Sequence, residues 1–337
     1  MSIDLKIADR SRLPARSGPS ATWILGVLAV LALAIRLLGS GGVPWISNFL
    51  LVFSSLFLQA FPFVLLGALV SAAIEAFAPQ TLFARLTGMP KAVRLPAAGA
   101  AGLAFPLCEC GSVPVARRLA ARGLQSSSAV TFMLAASIFN PIVLLSTAVA
   151  YRGRSTMWVV LGGRAILGLA IPIVAGWVIG ERSKDTFLRA RKGDENHHGA
   201  AAGSSRAGDL FAHFAADTMF MGRYLVLGAV GAALIQTFVP QTLIASVSNT
   251  PGLDIAAMMG LAAVLSLCSE SDAFVAASFV QFGPAPQLAF LVFGPMFNLK
   301  LGALYAGTFE RGFVRTIFVV VAGCTLVGAL WFEAFFR

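Results

Sequence analysis

Two short runs set thiols beside carboxylates in otherwise apolar sequence. One is Pro106-Leu107-Cys108-Glu109-Cys110-Gly111-Ser112-Val113-Pro114 and the other is Leu267-Cys268-Ser269-Glu270-Ser271-Asp272. Thiolates select soft or borderline ions such as Zn(II), Cu(I) or thiophilic arsenic, whereas carboxylates alone suit harder ions. Cys108, Cys110 and Cys268, joined by Glu109 or Glu270, would supply three or four ligands to such a species. His197, His198 and His213 stand apart in a polar segment and offer it nothing. Glu109, Glu270 and Asp272 have a second use, since acids held in apolar surroundings can carry protons that exchange against cargo. Plainer alternatives stand beside these: small buried thiols packing a turn, and helix capping by Ser271 or Asp272. Gly111 would permit a sharp reversal, with Pro114 in the first turn of the returning helix and unpaired N–H groups aimed at the centre. Asn140 and Asn298 each put an amide into a following apolar segment. Lys300 is either a snorkelling lysine or a buried cation that neutralises one acid when the site is empty. Arg164 and Glu75 read as structural or near an interface, and Cys324 as packing. There is no nucleophile–base–orienter pattern, so no catalytic residue, enzyme activity or resident cofactor is expected. There is also no Gly-x-x-x-x-Gly-Lys loop for a nucleotide.

Those residues need elements deep in a bilayer to hold them. Of 337 residues, 58% are hydrophobic and 12% charged, against about a quarter charged in a soluble domain. The net charge of +10 does not indicate nucleic acid, because the basic residues sit in short loops between apolar runs. Full spans are expected at 21–38, 47–77, 126–150, 156–180, 219–239, 286–308 and 313–333. Residues 91–122 and 254–283 are each apolar but interrupted, the first at Cys108–Gly111 and the second at Ser269–Asp272. Their arms are too short to cross, so each reads as a re-entrant hairpin, and non-helical backbone at that depth lines a site. The expected fold is an all-α polytopic membrane protein of about seven transmembrane helices plus two re-entrant hairpins.

The expected organisation is a tail (1–20), an extra first span (21–46), a first repeat (47–180), a polar linker (181–217) and a second repeat (218–337). Most of the 25 basic residues fall on the side that holds the N-terminus. That places the N-terminus in the cytoplasm and the chain in a bacterial inner membrane. The alternative for the first segment is a cleaved signal peptide ending near Ala32-Leu33-Ala34.

The repeat is visible in landmarks. Gly67 and Pro79-Gln80-Thr81-Leu82 recur as Gly228 and Pro240-Gln241-Thr242-Leu243, Leu107-Cys108 as Leu267-Cys268, and Phe139-Asn140 as Phe297-Asn298. Three full crossings per unit is an odd number, so the second copy enters upside down. Inverted repeats with broken helices are the architecture of secondary transporters, whose substrate is held between the breaks.

Phe105 to Leu119, Ser137 to Pro141, Cys268 to Phe274 and Phe293 to Lys300 resemble the bacterial predicted permease family. That family includes YraQ/YcgR-type proteins and ArsP organoarsenical efflux permeases, and the likeness is greatest to the YcgR-like branch. The resemblance implies a transporter, efflux as its direction, and a second membrane protein as partner. Glu109 and the run Cys268–Asp272 differ from the ArsP pattern, so organoarsenicals are not implied. The expected function is therefore a permease exporting a soft or borderline metal or metalloid, coupled to protons. Two alternatives remain at this level. One is an anion or small-organic permease that uses the hairpin helix N-termini, and the other is a channel or scaffold subunit of a larger complex.

Overall fold

The computed structural model describes residues 44–77, 88–104, 107–180, 188, 206–238 and 252–336. The chain divides into two compact parts, Met1–Ser47 and Asn48–Arg337, and the two repeat units lie in the second from Asn48 onward. Twelve helices run in order: α1 Pro44–Phe77, α2 Lys91–Ala104, α3 Glu109–Ala121, α4 Ser126–Ala136, α5 Pro141–Ala150, α6 Met157–Ile179, α7 Arg206–Phe238, α8 Leu253–Leu265, α9 Asp272–Ser278, α10 Pro284–Met296, α11 Leu299–Thr308 and α12 Arg311–Phe336. Extended pairing among the described residues is confined to an isolated bridge between Leu188 and Phe309.

Among the described residues, six stretches are long and apolar enough to cross a bilayer: Trp45–Ala72, Ser126–Ala150, Met157–Ile179, Phe214–Phe238, Pro284–Thr308 and Arg311–Phe335. Leu51, Leu58, Leu145, Trp158, Ile166, Val327 and Trp331 are exposed along them, where lipid can cover apolar side chains that water would not tolerate in such number. The chain is an all-α polytopic membrane protein. The span expected at 21–38 lies outside the described residues. The segment expected as a linker at 181–217 is entered by α7, which begins at Arg206. Ala207, Leu210, Ala212, Ala215 and Ala216 carry helix propensity through its polar end.

Two of the six spans are broken, where the apolar pattern alone reads 126–150 and 286–308 as continuous. Asn140 is extended at φ −125°, ψ 135° and separates α4 from α5. Pro141 causes this, because its ring disfavours helical backbone in the residue before it and it has no N–H to give. Asn298, at φ −141°, ψ 173°, separates α10 from α11 with no proline after it. Each asparagine caps the helix it opens, accepting from Ile142 N at 3.0 Å and from Leu301 N at 2.8 Å. The broken spans form the interior, 72% and 78% buried, against 28% for the spans of α1 and α12.

Around each broken span the chain folds back on itself. Gly99 of α2 lies against Thr131 and Ala135 of α4, and Gly102 against Ala136 and Phe139, so α2 climbs alongside α4. It reaches the break at Asn140, whose Nδ2 donates to Leu107 O at 3.3 Å. Helix α3 then returns to the foot of α4 through residues 122–125. In the second unit Gly294 of α10 lies against Ala262 of α8. The chain turns at 266–271, and α9 returns to the foot of α10, where Gln287 Nε2 donates to Phe279 O and Phe282 O at 3.0 Å each.

The feet of the two folded-back pairs lie at opposite ends of the molecule. That of the first adjoins the start of α4, where Ser126 Oγ donates to Gly180 O at 3.1 Å. That of the second adjoins Tyr151, beyond the far end of α5, whose hydroxyl donates to Gln287 Oε1 at 2.7 Å. The two units therefore run in opposite directions, as an odd number of crossings per unit demands, and their tips meet midway.

Candidate functional site

The first tip enters its helix earlier than the sequence pattern suggests. Cys108 is the extended residue before α3 (φ −74°, ψ 171°), and Glu109, Cys110 and Gly111 form its first turn. Gly111 is thus helical and does not make the reversal. Its smallness serves packing, because a Cβ on Gly67 of α1 would lie 2.5 Å from Gly111 Cα. Close helix contact through small residues is how helices associate where lipid offers no hydrophobic drive. Pro114 lies inside α3, beyond the first turn, so the carbonyl of Cys110 has no N–H to accept from there.

The second tip is longer and irregular. Ser266 closes α8 in the left-handed conformation, φ 49° and ψ 37°, the one non-glycine residue with positive φ among those described. That conformation strains a residue with a Cβ and collects at functional sites. Neither Ser271 nor Asp272 caps α9 through its side chain. The Ser271 hydroxyl donates instead to Cys268 O at 3.1 Å and accepts from Gln59 Nε2 of α1 at 3.3 Å, while the Asp272 carboxylate is engaged elsewhere.

Two buried ion pairs join the tips to the rest of the molecule. Lys300 Nζ of α11 donates to Glu109 Oε1 at 3.2 Å and to Ser266 O at 3.3 Å, and Ser269 N donates to Glu109 Oε2 at 3.2 Å. Glu109 therefore touches both the second tip and the second broken span. Arg164 of α6, fully buried, donates through Nη2 to Asp272 Oδ2 at 2.7 Å and to Ser269 O at 3.2 Å, and through Nη1 to Thr147 Oγ1 at 2.8 Å. Glu109 and Asp272 each take a cation from the other repeat unit. Charges buried at this depth are costly unless paired, and removal of one partner strands the other.

Arg164, expected to be structural or near an interface, contacts the second tip directly. Its signal was available: a lone cation eight residues into an apolar span is expensive and marks function by default. Lys300 is 2% exposed and does not snorkel. Three atoms at this point have no partner, Arg164 Nε, Asp272 Oδ1 and Ser269 Oγ. Asn140 and Asn298 lie at the same depth, but their amides are occupied by backbone, with Asn298 Nδ2 donating to Gly294 O at 2.9 Å.

The thiols come together at the same place. Cys108, Cys110 and Cys268 are all buried, and Cys108 neighbours the other two. Cys268 Sγ donates to Glu270 Oε2 at 2.6 Å, and Glu270 is half-buried. Among the described residues no three His, Cys, Asp or Glu side chains form a cage ready for a metal ion. Both oxygens of Glu109 are taken by Lys300 and Ser269, and Glu270 is bonded to a thiol. The residues expected as ligands therefore do not form a metal-binding group among the described residues. Cys324 lies apart on α12, half-buried. His197 and His198 lie outside the described residues.

A family described as predicted permease matches residues 45–333. The chain is similar to the UPF0718 protein YcgR of Bacillus subtilis, 35% identical over 283 residues, covering 83% of this chain and 95% of that one. It is also 33% identical over 290 residues to a Streptococcus mutans protein named as a candidate subunit of a two-component membrane permease complex, with the same two coverages. No solved structure matches it.

Proposed function

The chain belongs to the predicted permease family, and on that footing we propose that it is a secondary transporter whose cargo is held between the two tips. A permease family points to transport rather than catalysis. The observation that carries the reading is the meeting of two folded-back helix pairs, entering from opposite ends, around three thiols and two cross-unit ion pairs. In a bilayer these pairs are re-entrant hairpins, one from each face, which is the arrangement alternating access requires.

The cargo is a soft or borderline metal or metalloid. Cys108, Cys110 and Cys268 are the donors, with Glu109 and Glu270 free to join once Lys300 and the Cys268 thiol let go. Soft sulfur donors favour such species over hard cations. Binding to a thiol displaces its proton, so export of cargo is coupled to proton movement through the tip acids. The protein sits in a bacterial cytoplasmic membrane with its N-terminus inside, and the foot of the first hairpin faces the cytoplasm. Lys91, Arg94, Arg117, Arg118 and Arg122 all border that foot, whereas residues 252–283 contain no lysine or arginine. The name of the Streptococcus mutans relative supports a second membrane protein as partner.

The test is flux into proteoliposomes of purified protein, alone and with its partner, using Zn(II), Cu(I) or trivalent arsenic. Loss of flux in Cys108→Ser, Cys110→Ser, Cys268→Ser is the expected result. Equal flux in the triple variant overturns the thiol site. The second reading, an anion or small-organic permease, is favoured by the unpartnered Arg164 Nε and Ser269 Oγ. On that reading the triple variant transports normally, and Arg164→Gln does not.

A further inference from the structure

Each returning arm is pinned to the other unit twice, once at its tip and once at its foot. Helix α3 holds Lys300 through Glu109 at one end. Nine residues on, about 14 Å along the helix, Arg118 Nη2 donates to Asp217 Oδ2 of α7 at 2.8 Å. The side chains of this pair are 18% and 7% exposed. The Ser71 hydroxyl of α1, fully buried, lies between them, 3.2 Å from Asp217 Oδ2 and 3.4 Å from Pro114 O. Arg117 stacks over Phe220 of the same α7, 5.2 Å from the ring centre. Helix α9 holds Arg164 through Asp272 at its tip. At its foot Ala277 O accepts from Arg154 Nη2 at 2.7 Å, beside the Tyr151–Gln287 bond.

We infer that these two feet are the gates of the transport cycle: an ion-pair latch, Arg118–Asp217 with Ser71, closes the first face, and a cation-to-carbonyl latch, Arg154 on Ala277 O, closes the second. Both are shut in this structure, and the thiols between them are buried. The two tip pairs cannot serve as gates, because they lie at the site itself and respond to cargo. Access from the first face would part α3 from α7, which the Arg118–Asp217 contact ties together. Access from the second requires α9 to leave residues 151–154. The latches differ in chemistry. The ion pair can be restored by exchanging its two charges, while the second sets the fixed positive charge and long reach of a guanidinium on a carbonyl, which has no countercharge to exchange. A two-state gate of this kind shifts its populations by the free energy of the contact removed.

The inference rests on the transporter reading but not on any choice of cargo, so it is tested without one. Inside-out and right-side-out vesicles carrying the full chain in a Cys324→Ser background are treated with a membrane-impermeant maleimide, and labelling of Cys108, Cys110 and Cys268 is followed. The parent is expected to be protected from both faces. Asp217→Asn should raise labelling about tenfold from the first face alone, the effect of a contact worth roughly 1.4 kcal/mol. Arg154→Gln should raise it from the second face alone. The exchange Arg118→Asp, Asp217→Arg should restore protection, which separates a latch from a variant that misfolds. Thiols open to both faces in the parent would sink the transporter reading and the latches with it. A protected parent with no gain in Asp217→Asn, gain at the wrong face, or an exchange that stays open would overturn the latch and leave the transporter reading intact.

Discussion

The two tips start from the same Leu-Cys landmark and finish differently. In the first, Cys108 leads straight into a thirteen-residue helix with Glu109 in its opening turn. In the second, a left-handed Ser266 and six non-helical residues, 266–271, precede a helix of seven residues. Glu109 takes a lysine from α11 and Asp272 an arginine from α6. These cations are not at matching positions of the repeat, since Lys300 corresponds to Ile142 at the offset that relates Asn140 to Asn298. The backbone plan is symmetric and the charges are not. Each copy supplies what the other lacks, so neither half makes a site alone, and the two faces are closed by different chemistry.

The largest effect is expected where this asymmetry is deepest. Arg164→Met leaves Asp272 buried without its cation and should lower stability by about 3–5 kcal/mol. Thermal unfolding in detergent reads this, and an unchanged transition would mean the pair is incidental. Lys300→Met should destabilise comparably, but the double variant Glu109→Gln, Lys300→Met should regain most of the loss, because no charge is then left unpaired. A double variant no better than the single would show that Glu109 is held by Ser269 N–H rather than by Lys300.

The next effect is steric. The repeated glycines stand behind the two partners of one ion pair: Gly67 behind Gly111, two residues from Glu109, and Gly228 behind Lys300, where a Cβ would lie 2.8 Å from Lys300 Cα. Gly67→Ala and Gly228→Ala must each push a helix aside, at about 1–3 kcal/mol, and both should depress flux before they depress expression. Equal flux in both would show that the Glu109–Lys300 distance does not limit transport.

The smallest effect is at the breaks. Asn140→Ala and Asn298→Ala each lose a cap worth about 1 kcal/mol. Asn140→Ala should be the milder for the break itself, because Pro141 keeps α4 and α5 apart without help, whereas Asn298→Ala invites α10 and α11 to fuse. Hydrogen exchange at residues 297–302 reads the difference, and protection rising there in Asn298→Ala is the expected outcome.

Class and plan are written in the residues. A chain poor in charge and rich in apolar runs can only be folded in lipid. The recurrence of Gly67, Leu107-Cys108 and Phe139-Asn140 in the second half, with an odd number of crossings between, fixes an inverted repeat because a membrane has two faces. The thiols, acids and Lys300 stand out in the sequence for the same reason: ionisable groups at that depth are costly and draw attention as site candidates.

Only the tertiary structure decided the pairings. Which acid meets which cation depends on where two antiparallel units touch, and no local spacing records that. Arg164, which looks structural beside its own neighbours, and Asp217, which looks like the end of a linker, acquire their roles from residues more than ninety positions away. The break at Asn298 was equally hidden, since without a proline after it an asparagine in apolar sequence reads as one polar residue in a continuous span. Local sequence sets the depth and type of each group, and the packing of one unit against the other sets its partner.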